Sequence, residues 1–97
     1  MTTQDTRLYD DAFRTYGEQT QLLVACEELG ELVQAISKVN RYGNHGDARL
    51  NLTEEIADTF IVIEQLMHRF NISEDAVSLL ISKKKNRLRQ RLDERKN

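Results

Sequence analysis

Glu27-Glu28-Leu29-Gly30-Glu31 and Glu54-Glu55-Ile56-Ala57-Asp58 bracket the part of this chain that decides its fold. Each segment contains an acid, two spacers and a second acid: Glu28-x-x-Glu31 and Glu55-x-x-Asp58. In a helix such a pair lies on one face, about 60° apart, and aims at one point. Apolar residues recur at helical spacing around both pairs. Leu22, Cys26, Leu29, Val33 and Ile36 form the first stripe, and Leu52, Ile56, Phe60, Ile63 and Met67 the second. Such stripes are expected to be buried, with each acid pair on the same flank of its stripe. Packed antiparallel, the two helices bring four carboxylates together at the edge of a dry core. Carboxylates so close repel one another unless a cation sits between them, and an all-oxygen donor set suits a hard ion such as magnesium. The alternative is that these are solvated acids on a helix surface.

The rest of the chain fits an all-α protein. Its 97 residues make one domain, 1–97, with 31% charged residues, 6% aromatic residues, no proline and no tryptophan. A helix is expected over residues 5–16, with Leu8, Ala12, Phe13 and Tyr16 on one side and Gly17 ending it. The first long helix is expected from Gln19 to about Asn40. A loop, Arg41 to Asn51, follows, rich in glycine and asparagine. Asn51-Leu52-Thr53-Glu54 resembles a capping box and predicts the next helix start, with that helix running to about Phe70. Ser73 is a good N-cap for a last helix from about Glu74 to Glu94. Gly30 fits either a tolerated small residue or the close approach of a neighbour. Leu23, Val24, Ile61 and Val62 lie off the main stripes. Burying them as well calls for a helical bundle completed by further copies of the chain.

Charge is uneven. The net is −2, but residues 83–97 carry eight Lys/Arg against two acids, while residues 1–82 carry six against fourteen. One cysteine, Cys26, excludes an intramolecular disulfide, and its place on the apolar stripe predicts burial. The N-terminal residues do not form a signal peptide, and no run is apolar enough to span a membrane, so a cytoplasmic protein is expected. No histidine is placed to activate a nucleophile: His45 falls in the loop and His68 near a helix end. A di-iron bundle needs Glu-x-x-His, and Glu64 to His68 has the wrong spacing. Too few Cys and His are present for zinc, and no phosphate-binding glycine loop occurs. The basic last helix has no interleaved aromatics, which disfavours a nucleic-acid partner. A metal ion beside cationic side chains suits hydrolysis of a phosphorylated small molecule.

At these acids the sequence resembles the MazG-like, all-α nucleoside triphosphate pyrophosphohydrolases. That family carries two acids in Glu-x-x-Glu, a gap, then Glu-x-x-Asp, and here 23 residues separate Glu31 from Glu55. Tyr16-Gly17-Glu18, Gln21, Lys38, Arg41 and Gln65 extend the likeness, which covers residues 16–70 and runs more loosely to 91. The resemblance implies a four-helix-bundle-type fold completed by dimers or dimers of dimers. It implies cleavage of ribo- or deoxyribonucleoside triphosphates to a monophosphate and pyrophosphate, for pool control or house-cleaning. Magnesium would be the cofactor, with manganese a substitute. Glu28, Glu31, Glu55 and Asp58 would be the metal ligands, and Glu27 would support them or orient the attacking water. Gln21, Lys38, Arg41, Lys83 and Asn86 would bind substrate. Relatives place a lysine four residues before this asparagine. Here Ser82 holds that position, so Lys83 and Lys84 are rival candidates. Phe13 and Tyr16 are candidates for the nucleoside pocket or for core packing. The competing functional class is a non-catalytic helical module that binds a partner chain or a nucleic acid.

Overall fold

The computed structural model describes residues 1–96 as four α-helices, with no strand among them. They are α1 (Thr3–Tyr16), α2 (Glu18–Tyr42), α3 (Gly46–Arg69) and α4 (Glu74–Arg95). None is long and apolar enough to cross a membrane.

Local chemistry sets the helix ends. Thr2 and Asp5 form a reciprocal capping box that starts α1 two residues earlier than the apolar pattern indicates. Gly17, at φ 87°, ends α1 and opens α2, its N–H donating to the Phe13 carbonyl. At the other end of α2, Gly43 takes φ 95°, and a Cβ there would lie 3.0 Å from the His45 ring. The α2–α3 connection is therefore only Gly43 to His45, and the expected loop from Arg41 to Asn51 is mostly helix. The Asn51–Glu54 capping box does not form. Thr53 instead donates its hydroxyl to the Arg49 carbonyl at 2.8 Å, one turn back inside α3. Ser73 caps α4 as expected, accepting from the Ala76 N–H at 3.1 Å.

α2 and α3 form an antiparallel pair, and α1 packs across both. Tyr9, buried on α1, donates its hydroxyl to Glu64 Oε1 at 3.5 Å. His68 Nε2 lies 2.8 Å from Asp10 Oδ1. Arg69 reaches Glu18 at 2.8 Å and lies 5.6 Å from the centre of the Phe13 ring. Phe13 thus packs between α1 and the end of α3.

The buried faces of α2 and α3 are not the expected stripes. On α2 the inward residues are Gln21, Ala25 and Ala35, with Leu22, Glu28, Leu32 and Val39 half-buried. Val33 and Ile36 are exposed, and so is Cys26. On α3, Glu55 and Val62 are buried while Ile56, Phe60 and Ile63 are exposed. Small Ala35, 0% exposed, lets the backbones approach and turns the acid flank inward. The large apolar stripes then lie on the outside of the pair. Gly30 has open space around its Cβ position, so no neighbour approaches closely there.

α4 has no buried residue, and only Val77 is half-buried. A single chain is therefore a three-helix body with a projecting fourth helix rather than a closed four-helix bundle. Its radius of gyration is 16.9 Å, against about 12.5 Å for a compact chain of this length. It exposes 7875 Å², roughly 2,000 Å² more than a compact monomer of this mass.

Ala35 measures the α2–α3 contact. Ala35→Leu is expected to destabilise the fold by about 1–3 kcal/mol through overpacking, read by urea denaturation followed by helical circular dichroism.

Candidate metal centre

Packing α2 against α3 places Glu28 opposite Asp58 and Glu31 opposite Glu55. One carboxylate oxygen from each of these residues lies within 4.8 Å of the others. Glu55 is 9% exposed, Glu28 and Asp58 are half-buried, and Glu31 faces solvent. The cluster therefore opens on one side. Two of its oxygens, Glu28 Oε2 and Glu55 Oε2, are buried with no hydrogen-bond partner. A buried acceptor left unpaired is costly, so these two atoms are poised for a proton or a cation.

The same placement perturbs acidity. Burial pushes the pKa of Glu28 and of Glu55 above the ordinary 4.5, and nearby carboxylates push further, with Glu31 and Asp58 acting on both. Glu28 is close enough to Asp58 to share a proton, as Glu55 is to Glu31. Every neighbour that shifts these two groups is another acid. The donor set is hard, all-oxygen and anionic, and it fits a divalent cation such as magnesium or manganese.

Gln21 is buried beside the cluster and lines a cavity of about 150 Å³ with Val24, Glu28, Asp58, Ile61, Val62 and Gln65. Gln65, part of the family likeness but not among the expected substrate-binding residues, joins Gln21 here. Its signal is a mirrored distance: Gln21 stands seven residues before Glu28, and Gln65 seven after Asp58. In an antiparallel pair that symmetry places both amides at the same end of the acid cluster.

The other expected site residues lie elsewhere. Glu27 is exposed on α2 and outside the group of four, though its charge acts on Glu28. Lys38 lines a separate groove of about 530 Å³ with Tyr42, His45, Gly46, Asp47, Ala48 and Asn51, at the α2–α3 turn. Arg41 is exposed, its guanidinium 5.8 Å from the Tyr42 ring centre. Lys83, Lys84 and Asn86 are exposed on projecting α4, and the single chain does not bring them to the acids.

Compared with family models, curated proteins and solved structures, the chain matches none.

The raised pKa values fix a sign. Glu28 and Glu55 bind a proton more tightly in the folded chain than in the unfolded one. The stability they contribute is complete below the unfolded value of 4.5 and is lost as pH rises through the folded values. In chelator at neutral pH, Glu55→Gln is therefore expected to raise the melting temperature. Below the carboxylate range the gain should vanish. Magnesium at 100 times its Kd should stabilise the parent by about 2.7 kcal/mol and the variant by much less, measured by thermal scans.

Proposed function

We propose that this chain is a magnesium-dependent nucleoside triphosphate pyrophosphohydrolase of the MazG-like kind. The observation that carries the reading is the convergence of Glu28, Glu31, Glu55 and Asp58, with two buried oxygens unpaired. A divalent cation, when bound, supplies positive charge for phosphate oxygens and makes a water molecule more acidic. The four acids hold that cation between the two helices. Glu27, exposed beside Glu28 and outside the group of four, would support the site by its charge or help orient the attacking water. Gln21 and Gln65 line the cavity beside the acids, where their amides would orient what enters it.

Phosphoanhydride cleavage asks the protein chiefly for positioning and charge, which suits so spare a site. Hydrolysis between the α and β phosphates yields a monophosphate and pyrophosphate. The reading places the chain among cytoplasmic enzymes that adjust or clean the nucleotide pool.

The site also calls for more than one chain. The cavity of about 150 Å³ is smaller than the 300–1,000 Å³ typical of ligand pockets. The surplus exposed area exceeds the ~800 Å² per partner of a standard interface. Val33, Ile36, Ile56, Phe60 and Ile63 lie along the uncovered faces of α2 and α3. A homodimer, or a dimer of dimers, buries them and encloses the substrate. Lys38, Arg41, Asn86 and either Lys83 or Lys84 then supply the positive and amide groups for the phosphates.

A second reading, a non-catalytic helical interaction module, draws on the complete exposure of α4 beyond Val77. Hydrolysis assays separate the two. Incubation with a panel of ribo- and deoxyribonucleoside triphosphates should release pyrophosphate and monophosphate with magnesium and nothing with chelator. Asp58→Asn should lower the rate by about 10²-fold or more, the scale on which one preorganised charge-stabilising group acts, with helix content retained. Orthophosphate as the product, or full activity in the variant, would refute the assignment. No turnover by folded protein on any nucleotide favours the interaction module.

A further inference from the structure

The sharpest feature outside the acid site is a row of cations on α4. Lys83, Arg87, Arg91 and Arg95 stand at i, i+4, i+8 and i+12, forming one continuous ridge along the helix. Their pitch is about 6 Å, the scale of the separation between successive phosphates on one nucleic-acid strand. All four are exposed, and none has a carboxylate within ion-pairing distance among the described residues. Glu94, the one acid beside the ridge, forms no ion pair, and Arg89 pairs with Asp93 away from it. We propose that the α4 ridge binds the phosphodiester backbone of nucleic acid, without reading base sequence.

Other occupants fit less well. A second copy of the chain would need a matching row of acids, and no helix of the body carries more than two acids in i, i+4 succession. Those rows are Glu27–Glu31 and Glu54–Asp58. A membrane surface selects strongly amphipathic helices with aromatic anchors, whereas α4 has no aromatic residue and is the least amphipathic of the four. The absence of interleaved aromatics argues against base stacking, but backbone contacts need only positive charge at a regular pitch. Because α4 projects from the body, a duplex groove can receive it without collision with α1 to α3; the major groove is wide enough for one helix. The inference rests on α4; of the ridge only Lys83 is also a candidate for the substrate phosphates, and the test substitutions leave it in place.

Fluorescence anisotropy of a labelled DNA duplex with the full chain, in chelator, tests it. Four phosphate contacts give a slope of log affinity against log salt of about −3.6, and roughly a 150-fold loss between 50 and 200 mM salt. Two duplexes of unrelated sequence should bind equally. Arg87→Gln, Arg91→Gln and Arg95→Gln combined should make the slope shallower by about 3, and the corresponding lysine variants should restore it. Absence of binding at low salt by protein with intact helix content overturns the proposal, as does an unchanged slope in the glutamine variant. Polyglutamate that displaces the probe as well as unlabelled duplex, charge for charge, assigns the ridge to an acidic polypeptide instead. Stronger binding to vesicles of anionic phospholipid assigns it to a membrane surface.

Discussion

Everything distinctive in this molecule depends on how closely α2 and α3 approach. Ala35, fully buried, and Ala25 beside the acids leave little side-chain volume between the two backbones. The face that fits so narrow a space is the one carrying glutamines, alanines and carboxylates rather than the one carrying leucine, isoleucine and phenylalanine. The contact therefore has an energetic conflict built into it. It gains from tight packing, and it loses by burying acids whose neighbours are also acids. A fold that accepts repulsion and two unpaired oxygens at the centre of its main helix contact carries local strain of the kind found at functional sites.

The same choice of face accounts for the outer surface. Turning the acids inward turns the large apolar stripes outward, so Val33, at 66% exposure, and Phe60, at 65%, meet solvent in the single chain. α4 adds Leu79, Leu80, Ile81, Leu88 and Leu92 to that exposed surface. Exposed apolar area on this scale is what the proposed assembly would bury. The acid site and the proposed assembly are thus two consequences of one packing decision. α1 takes no part in that conflict. It is fixed to α3 by Tyr9 to Glu64, by Asp10 to His68 and by Arg69 over the Phe13 ring, which set its angle while leaving the outer stripes free.

Much of the candidate site was legible in the sequence. Glu28-x-x-Glu31 and Glu55-x-x-Asp58 are local patterns on helices whose existence the periodicity announces, and an antiparallel pairing is the simplest arrangement for adjacent helices. Gln21 and Gln65 were both legible through the family resemblance, but their pairing beside the acids appeared only once the register of the two helices was known. The helix boundaries failed where two local signals competed. Asn51-Leu52-Thr53-Glu54 has the composition of a capping box, yet Gly43 and the short turn after it start α3 five residues sooner, and Thr53 finds a carbonyl inside the helix. The exposure of Cys26 has the same origin as that of its stripe neighbours.

The sequence by itself determined the helical class, the number of helices, the caps at Gly17 and Ser73, and the identity of the four clustered acids. Those are short-range properties, set by propensity, capping chemistry and the period of the helix. Tertiary structure alone decided which face of each helix turns inward. Periodicity measures how hydrophobic a face is, whereas the closeness of two helices depends on the size of the side chains between them. It also decided that α4 stands clear of its own body, leaving its cations in a free row. No local pattern states whether a helix finds its partner within the same chain.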